Sequence, residues 1–190
     1  KLFPDSFYDN QFGTVGVKVV VDIYEITTYR SEQGYSDRRH PDNISWGKTI
    51  EGDLARRDFT INAIAFDGKH IIDPYDGQKD IESKLIRAVR HPDERFAEDA
   101  LRCLRAVRFA ATFGCSIEEQ TALAIKKHAE LITQISAERI RDEFFKILCS
   151  PHAADAVLVL KNLGLLHFIL PELEVAFATP QKSPKRHHIY

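Results

Sequence analysis

Residues 53–62 read Asp-Leu-Ala-Arg-Arg-Asp-Phe-Thr-Ile-Asn, and residues 98–102 read Glu-Asp-Ala-Leu-Arg. Both stretches place arginines beside carboxylates, and they stand on either side of the change from β-rich to helical sequence. Guanidinium groups neutralise phosphate charge, and carboxylates accept hydrogen bonds from hydroxyl and amino groups. The two stretches together therefore indicate a protein that holds a nucleoside triphosphate.

The segment from Glu98 to Gly114 has the period of an amphipathic helix. At about 100° per residue, apolar residues fall on one side and charged residues on the other. Asp99 and Arg102 are three residues apart, so their side chains would lie together on such a helix. The apolar side comprises Leu104, Val107 and Ala111, and the charged side comprises Glu98, Asp99, Arg102 and Arg105.

Asp99 and Arg102 would suit the recognition of particular bases. Cytosine and adenine present an amino donor beside a ring-nitrogen acceptor, whereas uracil and guanine present the reverse order. A carboxylate beside a guanidinium pairs with the first two and leaves unpaired groups against the others. Spacing alone also fits an ordinary solvated ion pair, which is common and weak. The cluster Arg56-Arg57-Asp58 fits either the binding of a triphosphate and a ribose hydroxyl or a solvated charge cluster at a helix end.

The composition is that of a globular chain with no global attraction for nucleic acid. The 190 residues are 44% hydrophobic and carry a formal net charge of −2, so phosphate binding must come from local clusters. The three cysteines, Cys103, Cys115 and Cys149, are odd in number and widely spaced in apolar patterns. This favours reduced core thiols and a cytoplasmic location. No stretch approaches the roughly 20 apolar residues of a membrane span.

The first part of the chain has the pattern of strands. Alternating valines and a β-branched run predict two strands within residues 14–30. The polar residues 31–45 show no period and are predicted to form a mobile loop. Residues 63–74 alternate on both sides of Asp67-Gly68, which predicts a hairpin.

The second part has the pattern of helices. Gly114 is expected to end the helix that starts near Glu98, and Ser116 to Glu119 resemble a capping box for the next helix. Ser136 and the pair Ser150-Pro151 predict two further helix starts. The expected fold class is α+β, with a β-rich head at residues 1–90, a helical neck at 91–150 and the start of a helical body at 151–190.

An ordered set of motifs resembles the class II nucleotidyltransferases, which comprise the tRNA CCA-adding enzymes and the bacterial poly(A) polymerases. The resemblance runs through nearly the whole chain, and the long match at residues 53–62 is its most specific part. The segments that carry it are 12–15 (FGTV), 24–30 (YEITTYR), 53–62 (DLARRDFTIN), 73–80 (DPYDGQKD), 95–102 (RFAEDALR) and 136–143 (SAERIRDE).

The resemblance implies roles for individual residues. Arg56 and Asp58 correspond to the motif that handles ribose and phosphates, and Asp99 with Arg102 to the motif that reads the incoming base. Arg105 and Arg108 would extend the site toward the triphosphate. Glu25 is the candidate third acidic group near the catalytic Mg2+ ions, although an exposed carboxylate in a strand is also unremarkable. Residues 136–143 match a helix that braces the neck.

The family also implies a reaction and its partners. The expected activity is the addition of CMP and AMP, from CTP and ATP, to the tRNA 3′ end. The family's Gly-Gly loop and Asp-x-Asp metal motif are expected upstream of Lys1, so this chain alone is expected to be inactive, and residues 179–186 read as a linker. A poly(A) polymerase, or an enzyme adding only CC or only A, fits the same motifs. A non-catalytic RNA-binding module is the alternative from another class.

Overall fold

A computed structural model describes residues 6–9, 14–33 and 43–180 of the chain. Short antiparallel strands dominate the first part, and helices dominate the second. The α+β class expected from the sequence is confirmed. The tail from Gln181 onward, residues 10–13 and the centre of the predicted loop lie outside the described residues.

The first sheet is a three-stranded antiparallel meander of β1 (Ser6–Asp9), β2 (Thr14–Val19) and β3 (Asp22–Thr27). The two strands predicted within residues 14–30 are thereby confirmed. Gly16 of β2 lies opposite Glu25 of β3. Every residue of β3 is exposed, so Glu25 lies on an open strand.

The segment predicted to be a loop is partly a second, two-stranded sheet. β4 (Arg30–Gln33) pairs antiparallel with β5 (Asn43–Trp46). The loop prediction was therefore wrong at both of its ends. The physical reason is that a ladder is held by backbone N–H and C=O groups, which polar residues supply as well as apolar ones. Residues 34–42 of the predicted loop lie outside the described part.

A helical turn and the predicted hairpin follow. The Asp67 carboxylate accepts hydrogen bonds from the backbone N–H groups of Lys69 and His70, each at 2.7 Å, which closes the loop. Gly68 takes a φ of 95°, a conformation that glycine adopts without steric cost. The hairpin prediction is confirmed. The elements are α1 (Ile50–Ala55), a 3-10 turn (Thr60–Asn62), β6 (Ala65–Phe66) and β7 (Ile71–Ile72).

A buried polar contact anchors the 3-10 turn to α2 (Gly77–Glu82). The Asp80 carboxylate is buried and accepts the Thr60 hydroxyl at 2.6 Å and Arg87 Nε at 2.8 Å. A Cβ at Gly77 would collide with the carbonyl oxygen of Thr60, so only glycine allows this close approach. The turn that follows the Arg56-Arg57-Asp58 cluster is thus held in place.

The helix predicted from residue 98 is divided into two. α3 spans Pro92–Glu98 and α4 spans Leu101–Phe113, and Asp99 between them is extended, with φ −141° and ψ 104°. Asp99 Oδ1 accepts the Leu101 N–H at 3.0 Å, so the aspartate caps α4 instead of lying within it. The predicted start was wrong, because this side chain offers the backbone an alternative partner. Gly114 ends α4 with a φ of 64°, as expected.

The capping residue of the next helix also differs from the prediction. Residues Ser116–Ile117 form β9, which pairs parallel with β8 (Leu85–Ile86). α5 (Glu119–His128) is capped by the carboxylate of Glu118, which accepts the Thr121 N–H at 2.6 Å. Since Ser116 is taken up by the strand pair, it cannot serve as the cap.

The remaining helices complete the second part of the chain. Ser136 occupies the cap position of α6, as predicted. The start predicted at Ser150-Pro151 is displaced, because α7 begins at Ala153 after His152. The elements are a 3-10 segment (Ala129–Gln134), α6 (Ala137–Leu148), α7 (Ala153–Asn162), α8 (Leu166–Ile169) and α9 (Pro171–Ala178).

The main core surrounds α4. Leu104, Val107 and Ala111 are all buried there, which confirms the predicted apolar side of the helix. Of the cysteines, only Cys103 is fully buried, and Cys149 is exposed, so the prediction of three core thiols was wrong for Cys149. Cys149 lies at the C-terminal end of α6. Within the described ranges, no helix is long and apolar enough to cross a membrane.

Candidate nucleotide-binding site

A cavity of about 510 Å³ lies where the chain between α1 and β6 meets α4 and α6. Five guanidinium groups and two carboxylates line it, which leaves an excess of three positive charges at its wall. Such a wall attracts a polyanion. The lining residues are Arg56, Arg57, Asp58, Asn62, Asp99, Leu101, Arg102, Arg105, Phe109 and Arg139.

The arginine pair of the first motif is organised by Asp53. Asp53 Oδ1 accepts Arg56 Nη2 at 2.6 Å, and Asp53 Oδ2 accepts Arg57 Nη2 at 3.0 Å. Burial raises the pKa of this carboxyl, but the hydrogen bonds and charges of the two arginines lower it by more, so its pKa lies below its ordinary value. One anionic group therefore holds both guanidinium groups at the cavity, and the Arg57 side chain is 44% exposed.

Asp58 is buried and accepts four hydrogen bonds. Its Oδ1 accepts the Phe59 N–H at 2.9 Å and Asn62 Nδ2 at 3.0 Å, and its Oδ2 accepts Arg105 Nε at 2.8 Å and Nη2 at 2.5 Å. A carboxylate has about four lone-pair sites. The Asp58 carboxylate is therefore used in orienting Arg105, which leaves little capacity to accept a ribose hydroxyl.

The same contacts set the pKa of Asp58. Burial raises the pKa of the carboxyl, while the Arg105 charge and the hydrogen bonds from Asn62, Arg105 and Phe59 lower it by more. Its pKa therefore lies below the ordinary value, and the group is anionic at neutral pH. Arg105 also lies over the Phe109 ring, 5.3 Å from its centroid, so an aromatic face and an anion fix this guanidinium together.

Asp99 reaches the cavity from the break between α3 and α4. While its Oδ1 caps α4, its Oδ2 accepts Arg139 Nη2 of α6 at 3.0 Å. Its side chain is 16% exposed, which leaves one edge open to the cavity. Asp99 is thus fixed by one backbone N–H and one guanidinium, and its partner is not Arg102.

Arg102 is held by a separate set of groups. Its Nη1 donates to Glu98 Oε2 at 2.7 Å and to the Arg95 carbonyl at 3.1 Å, and its Nη2 donates to the Arg56 carbonyl at 3.4 Å. Within the described part of the chain, these three bonds use three of the five N–H donors of the guanidinium. Two donors therefore remain for a ligand beside Asp99.

Two residues suggested by the sequence lie outside this cavity lining. Arg108 Nε donates to Glu143 Oε2 of α6 at 2.7 Å, and its guanidinium stacks 4.1 Å from the Phe109 ring centroid. This contact joins α4 to α6, as expected of the bracing segment 136–143. Glu25 lies on the exposed strand β3 and does not line the cavity.

The described residues do not by themselves fit a magnesium site. Among residues 6–9, 14–33 and 43–180, no group of three or more His, Cys, Asp or Glu side chains could hold a metal ion. Mg2+ requires several oxygen ligands in near-octahedral geometry. Glu25 supplies a single carboxylate, which by itself is too few ligands to hold Mg2+.

Sequence reasoning did not single out Asn62, Leu101, Phe109 or Arg139 of the cavity. Asn62 closes the first motif and orients Asp58, and Phe109 supports Arg105. Arg139 belongs to the segment that was assigned only a bracing role. Asn62 and Arg139 belong to the quoted motifs, which was the available signal, whereas Phe109 lies outside them. No local pattern shows that side chains so far apart in the chain meet at one cavity.

Two family models match the chain. Residues 3–87 match the Poly A polymerase head domain, and residues 114–177 match the Probable RNA and SrmB-binding site of polymerase A. The cavity draws on both regions, since Arg56 to Asn62 lie in the first and Arg139 in the second. The base-reading candidates Asp99 and Arg102 lie between them.

Individual relatives agree with this family. The chain is 48% identical over 145 residues to the CCA-adding enzyme of Lactobacillus helveticus, a match that covers 76% of this chain and 36% of the relative. The crystal structure of the Bacillus stearothermophilus CCA-adding enzyme in complex with CTP superposes with a TM-score of 0.77 at 39% identity, covering 86% of this chain and 40% of that one.

A tRNA nucleotidyltransferase complexed with a primer tRNA and an incoming ATP analog superposes with a TM-score of 0.74 at 25% identity, covering 87% of this chain and 47% of that one. The chain thus spans less than half the length of these relatives. The sequence match and the shared fold extend over the head region and the helices that follow it. The chain therefore belongs to the family of tRNA CCA-adding enzymes and bacterial poly(A) polymerases.

Proposed function

We propose that this chain carries the nucleotide-selecting part of a tRNA nucleotidyltransferase that adds CMP and AMP to the tRNA 3′ end. The observation that carries the proposal is that Asp99 and Arg102 line one cavity together with the guanidinium groups of Arg56, Arg57 and Arg105. The relatives support it, because one is a CCA-adding enzyme in complex with CTP and another is complexed with a primer tRNA and an ATP analog.

The base would be chosen by Asp99 and Arg102 acting as a protein template. The open edge of Asp99 accepts the exocyclic amino group of cytosine or adenine, and a remaining Arg102 donor meets the adjacent ring nitrogen. Uracil and guanine present a carbonyl to the carboxylate and an N–H to the guanidinium, so both contacts fail. Polar groups that a bound base covers and leaves unpaired in this way give strong discrimination.

The phosphates would be held by the other arginines. Arg57 has the most exposed side chain of the five arginines that line the cavity, and Arg56 and Arg105 are fixed by Asp53 and Asp58. Fixed cations lose little freedom when a polyanion binds. In the reaction, the tRNA 3′ hydroxyl loses its proton and its oxygen bonds to the α-phosphorus of CTP or ATP. The bond between the α-phosphorus and the oxygen that bridges to the β-phosphate breaks, and pyrophosphate leaves with that oxygen.

The intact enzyme is proposed to need Mg2+, which is general for nucleotidyl transfer of this kind. We assign Glu25 no more than a candidate carboxylate for it. We further propose the division into a head at 1–90, a neck at 91–150 and the start of a body at 151–190. A cytoplasmic location is proposed because all three cysteines are free thiols.

The test uses the product of the complete reading frame that encodes this chain. It is incubated with tRNA lacking its 3′ CCA and with CTP, ATP, UTP or GTP, and the products are sized at nucleotide resolution. Addition of C and A, with U and G rejected, is expected. Absence of transfer from CTP and ATP would refute the proposal.

Base reading is tested by Asp99→Ala and Arg102→Ala in the same protein. Both are expected to relax the choice of C and A over U and G while folding is kept. The matched controls are Asp142→Ala and Arg141→Ala, which alter an exposed ion pair on α6. Unchanged nucleotide selectivity in both cavity variants would contradict the template role.

A poly(A) polymerase is the second candidate, because both matching family models carry the name of that enzyme. The two activities differ in product. A poly(A) polymerase extends an RNA with ATP alone into a long tail, whereas a CCA-adding enzyme stops after three nucleotides. A CC-adding or A-adding enzyme would stop earlier, so product length with CTP, ATP or both separates all four.

A further inference from the structure

Arg139 is the one cavity arginine that comes from α6, and its contact with Asp99 spans forty residues of chain. Nη2 of Arg139 donates to Asp99 Oδ2 at 3.0 Å, and the Arg139 side chain is 24% exposed. The guanidinium therefore reaches the carboxylate that faces the candidate base. Arg141, two residues later on the same helix, instead pairs with Asp142 at the surface.

The two oxygens of Asp99 have different partners. Oδ1 accepts the backbone N–H of Leu101, and Oδ2 accepts Arg139. Each carboxylate oxygen accepts about two hydrogen bonds, so a further donor can be accommodated. Two fixed partners on two oxygens define the plane of the carboxylate, whereas the Leu101 bond alone would leave it free to rotate.

The alternative partners of a rotating Asp99 lie close at hand. Arg102 and Arg105 line the same cavity as the carboxylate. Arg102 is held on Glu98, and Arg105 is held on Asp58. An Asp99 released from Arg139 could turn toward either guanidinium, and its open edge would then no longer meet the amino group of a base.

We propose that Arg139 is a positioning residue for base selection: it holds the Asp99 carboxylate in the orientation that accepts the exocyclic amino group of cytosine or adenine. The inference rests on the proposed function. Arg139 acts through Asp99, and selectivity falls when the guanidinium is lost because the acceptor is no longer directed at the base. Arg108, on Glu143 of the same helix, holds the helices together and has no part in this contact.

The experiment measures kcat/KM for CTP, UTP, ATP and GTP with tRNA lacking CCA, using the product of the complete reading frame. The variants are Arg139→Ala, Arg139→Gln and Arg139→Lys, with Arg141→Ala as the control on the same helix. We expect Arg139→Ala and Arg139→Gln to reduce the preference for C over U by about 5-fold to 100-fold, the range for a polar group left without its partner. Arg139→Lys, which retains a charged donor, should keep most of the preference.

A double variant separates positioning from direct contact with the substrate. In an Asp99→Ala background, Arg139→Ala should change selectivity no further, because the group through which it acts is gone. Selectivity unaltered in Arg139→Gln, or an equal loss with and without Asp99, would overturn the inference. Melting temperatures of all variants distinguish loss of selectivity from loss of folding. If the unaltered protein transfers neither CMP nor AMP, the proposed function fails, which is a separate result.

Discussion

The contact between Asp58 and Arg105 joins the first motif to α4 across forty-seven residues of chain, and Asp58→Asn tests its contribution to stability. The substitution keeps the size of the side chain and removes its charge. Arg105 then loses a carboxylate that accepts both its Nε and its Nη2. The introduced amide also brings a donor toward Asn62 or Arg105, where donors already converge.

The expected loss in the free energy of unfolding is about 2–4 kcal/mol. A hydrogen bond to a charged group contributes about 1.5–3 kcal/mol, and breaking a buried pair costs about 3–5 kcal/mol. Asp58 is buried, but the Arg105 side chain is 33% exposed, so water can replace part of the lost interaction. The value therefore falls below the upper end of the range for a fully buried pair.

The assay is urea denaturation of the unaltered chain, Asp58→Asn, Arg105→Gln and the double variant. The coupling free energy from this cycle should be about 1–2 kcal/mol. Because the folded pKa of Asp58 lies below its unfolded value of about 3.9, its contribution is complete above that pH and is lost as the pH falls through the folded pKa. The difference between the unaltered chain and Asp58→Asn should therefore shrink in acid and stay constant near neutral pH.

Two results would contradict this role of Asp58. A coupling free energy below about 0.3 kcal/mol would mean that Asp58 and Arg105 do not depend on each other, since independent sites add within that error. A stability difference that persists unchanged to a pH well below about 3.9 would mean that the carboxylate charge is not the cause. In either case Asp58 would have to be assigned a role other than orienting Arg105.

Two further predictions concern the core and the thiols. Leu104→Ala should lower the free energy of unfolding by about 2–5 kcal/mol, because the side chain is fully buried. As a control, Leu123→Ala at an exposed position of α5 should change the free energy of unfolding little. Equal melting temperatures for the two variants would mean that α4 packs through another face. Cys149 is exposed and should react quickly with a thiol reagent in the folded chain. Cys103 should react only on unfolding, because burial and the Asp99 charge raise its pKa. Mass spectrometry of the labelled protein checks both expectations, and early labelling of Cys103 would contradict the second.

Local sequence was sufficient to predict the elements that depend only on neighbouring residues. β2 and β3 follow from alternating valines and a β-branched run, and the end of α4 at Gly114 follows from the freedom of glycine to take a positive φ. The buried side of α4 follows from its period. These features depend on the backbone preferences of single residues and on the spacing of apolar residues, and both can be read from the amino-acid sequence.

Local sequence failed where a side chain had a choice of partner. The helix expected from Glu98 begins only at Leu101, because the Asp99 carboxylate bonds the Leu101 N–H and the guanidinium of Arg139 instead of continuing a helical face. The spacing suggested that Asp99 would pair with Arg102, which is held by Glu98. A helical wheel assumes the regular backbone that these contacts interrupt.

Composition, periodicity and motifs were enough to establish the α+β class, the apolar stripe of α4, the two arginine and carboxylate clusters and the likeness to nucleotidyltransferases. Which charges meet became visible only in the folded chain. Arg105 pairs with Asp58 and Arg139 with Asp99 across 47 and 40 residues, while Arg108 turns away to Glu143. The physical reason is that an ion pair depends on distance in space, and that distance is set by how α4 and α6 pack against the segment from Arg56 to Asn62.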